Sequence, residues 1–390
     1  MGLASAAGPS SGKGSLSSRP VLQAGARMST TVESIRTALG SVKDPATGHS
    51  ILGTGQLTAV EVTDAGAVTL RVDLISPGYP LRDALETSIR EAIGDAAPGG
   101  LDIQWGLKVP RKAARQDLDR LPTVKNIIAV AAGKGGVGKS TVSVNTALAL
   151  QRLGARVGLL DADIYGPSVP KMLGEPERPA GTATDGGGIA PALYRGIAVM
   201  SVDYFVEPGA AVIWRGPMIH KLLTQFLEDV RWGDLDYLVV DLPPGTGDAQ
   251  LSLAQLIPIT GSIIVTTPQE VALIDVRKAV NMFGKLEVPV LGVVENMSHY
   301  RCPACGHHDE IFGAGGGKRL ADEIGVELLN KIPIDPAIAF GGEAGAPVVE
   351  TNPDAAHSKA FIELAAAAAL GAAKRSATGP KRSSLLRTVD

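Results

Sequence analysis

The chain has 390 residues, 45% of them hydrophobic, which suffices for a sizeable core and points to two domains with tails. A formal net charge of −3 argues against a dominant nucleic-acid-binding face, and no run of about eighteen apolar residues offers a membrane span. The only two cysteines, Cys302 and Cys305, lie three apart, a spacing that suits a metal better than a structural disulfide in a chain of cytoplasmic character.

Residues 1–28 are rich in Gly, Ser and Ala, lack acidic residues and show no periodicity, so they are read as a disordered extension. Met28 offers an alternative start. Residues 29–105 read as a small α+β domain. Thr31–Leu39 has helical spacing, and Leu57–Val62 and Val68–Ile75 alternate around Asp64-Ala65-Gly66 as a hairpin. Leu81–Ile93 reads as a helix stopped by Gly94, and Leu101–Trp105 as a short strand. The Asp44-Pro45 turn, the hairpin and Pro77-Gly78-Tyr79-Pro80 ahead of a helix resemble the small domain of SufT-type iron–sulfur assembly factors. Members of that family often carry cysteine where this chain has Tyr79, so the resemblance implies a positioning role here rather than thiol chemistry.

Residues 106–125 are basic and proline-bearing and read as a solvated linker. From Asn126 to residue 372 strands and helices alternate. The predicted strands are Ile127–Ala132, Val157–Leu160, Ala198–Val202, Tyr237–Asp241, Ile263–Thr266, Val290–Glu295 and Leu328–Ile332. The expected fold is therefore α/β: a doubly wound, mostly parallel sheet carrying a P-loop, preceded by the small α+β domain. Residues 373–390 hold several Lys and Arg among Ser, Thr and Gly and read as a disordered basic tail.

The central signal is Gly133-Lys134-Gly135-Gly136-Val137-Gly138-Lys139-Ser140, preceded by an apolar strand and followed by a helix opening at Thr141. Glycines let backbone N–H groups turn inward around a phosphate, the helix N-terminus adds partial positive charge, and Lys139 adds a full one. Ser140 is placed to ligate Mg²⁺ between the outer phosphates, so the chain is expected to bind a nucleoside triphosphate. Tyr237–Asp241 is an apolar strand ending in an acid, the pattern in which Asp241 holds the Mg²⁺ through water. Leu242-Pro243-Pro244-Gly245-Thr246-Gly247-Asp248 follows as a candidate switch loop.

Lys134, five residues before the usual lysine, resembles the deviant loop of the MinD, ParA and nitrogenase-iron-protein class. That resemblance implies an ATP-bound sandwich dimer in which Lys134 reaches the partner's nucleotide. It further implies that Asp163 positions the attacking water, with Asp161 supporting the metal, and that Asn296 reads the adenine edge. The segment with Pro333 and Asp335 would pack against the ring.

Two thiolates do not complete a metal site. Zinc could be completed by His299, His307 and His308, two chains could share one cluster, or the pair could be redox-active or inert. Trp214-Arg215-Gly216-Pro217-Met218, the Asp241–Asp248 run, Thr267-Pro268-Gln269, Glu295-Asn296-Met297-Ser298, Cys302–Cys305 and Ile311-Phe312-Gly313 occur together and in order. Together they resemble the Mrp/ApbC family of iron–sulfur cluster carrier ATPases. The resemblance implies a cytoplasmic homodimer that hydrolyses ATP with Mg²⁺ and holds a [4Fe–4S] cluster on Cys302 and Cys305 of both chains. It would take the cluster from a scaffold and pass it to apo-proteins, with no membrane or nucleic-acid partner. The alternative is a MinD/ParA-type positioning ATPase whose cysteine pair is a zinc clip or inert.

Overall fold

The computed structural model describes residues 30–112, 120–177, 188–206, 216–302 and 304–378. The expected N-terminal extension, Trp214, Arg215 and residues 379–390 lie outside the described residues. The chain begins with a three-stranded unit: α1 (Val32–Ala38), β1 (Leu57–Val62), β2 (Val68–Leu74), α2 (Arg82–Ile93) and β3 (Leu101–Leu107). α1 starts with a reciprocal cap in which Thr31 Oγ1 accepts from the Ser34 amide and Ser34 Oγ accepts from the Thr31 amide. β1 and β2 form an antiparallel hairpin turned at Gly66 (φ 75°), and β3 joins β2 in parallel. Leu85, Ile89 and Ile93 recur every four residues along α2 and bury one stripe in this unit's core.

A second unit follows. Its first half comprises β4 (Val124–Ala132), α3 (Lys139–Arg152), β5 (Val157–Asp161), α4 (Val169–Met172), β6 (Ala192–Tyr194), β7 (Ile197–Ser201) and α5 (Gly216–Glu228). Then come β8 (Leu235–Asp241), α6 (Asp248–Leu256), β9 (Gly261–Thr266), α7 (Glu270–Lys285), β10 (Val290–Glu295), β11 (Tyr300–Arg301) and β12 (His308–Asp309). The last elements are α8 (Gly316–Ile324), β13 (Glu327–Lys331), α9 (Pro336–Glu343), α10 (Val348–Thr351) and α11 (Ala356–Thr378). Eight strands form one sheet in the order β13-β10-β9-β4-β8-β5-β7-β6, parallel throughout except for the edge pair β6 and β7. Two apolar clusters, one per face, cover it, which is why β4 and β8 read as near-continuous apolar runs. The chain winds from β4 to one side and later returns to the other, so the ends of β4, β5 and β8 face a crevice at the reversal of strand order.

Several expectations need correction. The basic tail was expected to begin at residue 373, yet α11 continues through Thr378, with Ala372 and Ala373 buried. Alanine is the best helix former, and its small side chain lets α11 lie close to both cores. Leu370 and Ala373 close the core of the three-stranded unit, so this helix joins the two units. The 106–125 linker is ordered at both ends: β3 runs to Leu107, Val109 and Leu121 are buried, and β4 begins at Val124. The short strands β6, β11 and β12 had too few residues to show a period. α3 begins at Lys139, two residues before the predicted Thr141, because Gly138 caps it in the left-handed conformation (φ 85°).

Tyr79 also has a defined task. Its hydroxyl donates to Asp44 Oδ2 at 2.8 Å, and the same carboxylate accepts from Gln56 and from the amides of Ala46 and Thr47. Burial and the Asp44 carboxylate push the phenol above its usual range, so it stays a neutral donor. The position that the family resemblance associates with cysteine is here a closed hydrogen bond.

Candidate nucleotide and cysteine sites

The phosphate cradle is built at the end of β4. A Cβ on Gly133 would lie 2.4 Å from the backbone of Asp275 and Val276 in α7, so only glycine lets the loop turn there. After Gly136 (φ 77°) and Gly138, the amides at the start of α3 open toward the crevice.

Lys139 is buried, with its Nζ 2.8 Å from Asp241 Oδ2 and 3.3 Å from Asp163 Oδ2. Ser140 Oγ donates to Asp241 Oδ2 at 2.6 Å, and Ser143 Oγ donates to Asp241 Oδ1 at 2.6 Å. Burial works against the lysine's charge, but Asp241, Asp163 and Asp161 outweigh it and hold the pKa above the ordinary lysine value. Asp161 lies deeper. It accepts from the Asp163 amide at 3.1 Å, the Val169 amide at 3.2 Å and Ser201 Oγ at 3.1 Å. Both its oxygens are engaged within the fold, and through them Asp161 shapes the loop that carries Asp163. Burial and the nearby Asp241 raise its pKa to about 7.

Three buried carboxylates thus share one lysine. That excess of negative charge beside the Ser140 hydroxyl is the donor set a hard divalent cation takes, so Ser140 and Asp241 fit Mg²⁺. Lys134 is half-exposed at the mouth of the loop and has no ion-pair partner among the described residues. The loop after β8 is tied to the cradle, since the Leu242 amide donates to Val130 O and the Gly245 amide to Ala132 O.

On the other side of Gly138 opens a cavity of about 600 Å³. Its lining includes Gly138, Thr141, Asn296, Phe312, Pro333 and Asp335. Asn296 Nδ2 donates to Val137 O at 2.8 Å, fastening the end of β10 to the P-loop. Asp335 has structural work: Oδ1 accepts from the Ala337 amide at 2.8 Å as the cap of α9, and Oδ2 is 2.9 Å from His357 Nδ1. The structure therefore brings Lys139, Ser140, Asp163 and Asp241 together at one end of Gly138, and Asn296, Pro333 and Asp335 at the other. The structure adds Ser143, one helical turn beyond Lys139, to the cradle, and Ile311 and Phe312 to the cavity walls, none of which the sequence motifs assign there.

The cysteines occupy the hairpin of β11 and β12, which pair Tyr300 with Asp309 and Arg301 with His308. The Cys302 amide donates to His307 O, and the Gly306 amide (φ 72°) donates back to Cys302 O. Cys305 is exposed and Cys302 half-buried, and both are free thiols. The amides of Cys305 and Ala304, with the Cys305 thiol, hold the Cys302 thiol below its usual pKa. His299 stacks on His308 with centroids 4.4 Å apart, and burial followed by His308 lowers the pKa of His299. Among the described residues no three His, Cys, Asp or Glu side chains group as ligands for a metal ion.

Known proteins share this architecture. Residues 123–369 match the family model described as NUBPL iron-transfer P-loop NTPase, and residues 33–104 match that of iron–sulfur cluster assembly proteins. A protein of Escherichia coli strain K12 called iron–sulfur cluster carrier protein is 53% identical over 302 residues, 76% of this chain and 81% of that protein. One of the same description from Deinococcus radiodurans is 44% identical over 328 residues, 84% of this chain and 92% of its own. Among solved structures, a nucleotide-binding protein from Archaeoglobus fulgidus in complex with ADP superposes with a TM-score of 0.54 at 40% identity. It covers 60% of this chain and 92% of that one. No helix among the described residues is long and apolar enough to cross a membrane.

Proposed function

The chain belongs to the NUBPL iron-transfer P-loop NTPase family, and from that premise we propose that it carries an iron–sulfur cluster as cargo under the control of ATP. The cluster would be a [4Fe–4S] held by Cys302 and Cys305 of two chains, taken from a scaffold and delivered to apo-proteins. The observation that carries this reading is the pair of free thiols on an exposed hairpin, with no third ligand grouped beside them among the described residues. A symmetric pairing of two such hairpins supplies four thiolates, the usual complement for a cluster.

In the ATPase site, Lys139 would neutralise charge on the transferring phosphoryl group, and the amides opening α3 would hold the phosphates. Mg²⁺, held by Ser140 and Asp241, would supply further charge neutralisation. Asp163, 3.3 Å from Lys139 and anchored by Asp161 through its own amide, would orient the attacking water. Lys134, without an ion pair among the described residues, would act on the partner's nucleotide. Asn296 and Pro333 would contact the base, with Asp335 shaping that wall as the cap of α9.

The test is iron and acid-labile sulfide per chain after anaerobic reconstitution, beside a Cys302→Ser/Cys305→Ser variant. About two irons and two sulfides per chain are expected, lost in the variant, as one four-iron cluster shared by two chains requires. Zinc without sulfide would sink the carrier reading and favour a positioning ATPase.

A further inference from the structure

One continuous segment, residues 295–312, supplies both the cysteine hairpin and two walls of the cavity beside Gly138. On the upstream side, Asn296 and Met297 line the cavity. Met297 takes φ 55°, a left-handed conformation that is costly for a side chain with a Cβ and that turns the chain sharply out of β10. The next residues are stitched to the opposite wall. The Ser298 amide and hydroxyl both donate to Ile332 O at 3.0 Å, the Ile334 amide donates to His299 O at 2.7 Å, and Tyr300 bridges Ile334 in parallel. β11 therefore begins as an extension of the cavity wall Pro333–Ile334. On the downstream side, the chain leaves β12 at Asp309 and returns to the same cavity at Ile311 and Phe312.

We infer that the base of a bound nucleotide, seated between Asn296 and Phe312, positions the cysteine hairpin within a single protomer. This rests on the reading of the crevice as a nucleotide site. Apart from its turn hydrogen bonds and the His299–His308 stack, the hairpin is short: each strand has two residues, and such a ribbon is marginal without support. Its support is the cavity wall. A base filling the cavity would bring Phe312 and Pro333 against one flat ring and fix both ends of the hairpin, whereas with the cavity empty the downstream end is held by the His299–His308 stack and by Ile311, itself 54% exposed. Phe312 and Ile311 are thus positioning residues for the cysteines. Nucleotide state then reaches the thiols by a route separate from the switch loop after β8, which lies on the phosphate side of Gly138.

Hydrogen–deuterium exchange on the full chain tests this, comparing amides 299–302 and 304–309 with those of the P-loop, 133–141, with and without saturating Mg·ADP. Binding is expected to slow exchange of the hairpin about tenfold as well as that of the P-loop. In Phe312→Ala at saturating ADP, the P-loop should stay protected while hairpin protection falls to threefold or less. Phe312→Leu, which keeps much of the apolar volume, should restore at least half of it. Should Phe312→Ala not fold, Ile311→Ala reads the same wall from an exposed position. A hairpin whose exchange ignores ADP while the P-loop responds, or one equally protected in the variants, overturns the inference. No protection at the P-loop would instead overturn the nucleotide reading on which it rests.

Discussion

The phosphate cradle and the cysteine hairpin stand at the two ends of one crevice and are built on opposite plans. Behind the half-exposed Lys134, the charged groups at the cradle's floor are buried and partnered: Lys139 meets two carboxylates, Asp241 accepts from two serines, and Asp161 accepts from two amides and a hydroxyl. The hairpin offers two thiols, one of them exposed, on strands of two residues. The cradle is preorganised, so it can stabilise developing charge without rearranging at the moment of reaction. On the proposed reading the hairpin supplies half of a ligand set, which suits a group that must be received and given up. A site meant to release its cargo gains nothing from burial and a full ligand set.

If the contrast holds, damage to the cradle should abolish chemistry and leave the thiols intact. Lys139→Ala removes the one cation among three buried carboxylates. Phosphate release is expected to fall about 10²–10³-fold, while alkylation of Cys302 and Cys305 in the nucleotide-free protein keeps its rate. A variant still hydrolysing at a third of the normal rate would show that the cradle's charge is not what drives the reaction.

The same crowding should appear as a pH dependence of stability. The folded pKa of Asp161, about 7, lies above its unfolded value, so between about pH 4 and 7 the folded state binds more protons than the unfolded one. Stability of the nucleotide-free protein should therefore fall as pH rises through that window. Asp161→Asn keeps the shape and cannot ionise, so its stability relative to the parent should improve by on the order of 2–4 kcal/mol between pH 5 and pH 8. Urea midpoints at both pH values decide it. A parallel pH profile for the two proteins would mean that Asp161 is ionised in the fold throughout.

Gly138 marks the border between the cradle and the cavity. A Cβ there would lie 2.1 Å from Asn296 Nδ2, at a φ of 85°. Gly138→Ala should displace Asn296 from Val137 O, cost about 1–3 kcal/mol and weaken ADP binding. Thermal unfolding and an ADP titration measure the two effects, and an unchanged ADP affinity would separate the cavity from the P-loop.

Much of this was legible in the chain because it is local. The glycine spacing before Lys139 and the acid ending the Tyr237–Asp241 run are each written within eight residues, and the apolar strands before them place both at the ends of a parallel sheet. Ser143 was legible in principle, one turn beyond Lys139 on the same face of the helix. Other features were not local. Ile311 and Phe312 reach the cavity only because the hairpin folds back, and nothing between residues 297 and 311 announces that return. The continuation of α11 to Thr378 was hidden by Lys374 and Arg375, which read as tail but suit the C-terminal end of a helix dipole. The hydrogen bonds of Asp161 to the Asp163 and Val169 amides were not legible either, because an acid at a strand end looks the same whatever its own loop does around it.

Asp335 makes the smallest prediction and tests the boundary between site and scaffold. By resemblance its segment belongs to the base pocket, and it does line the cavity, but its oxygens serve the Ala337 amide and His357. Asp335→Ala removes an N-cap and the partner of a buried histidine, so it should cost about 1 kcal/mol in the urea midpoint. Asp335→Asn retains a capping oxygen and should recover most of that. If the carboxylate only supports α9, the two variants should keep the parent's preference between ATP and GTP in competition binding. A change of preference in Asp335→Asn with stability intact would show that the carboxylate itself reads the base, and would move Asp335 from the scaffold into the recognition surface.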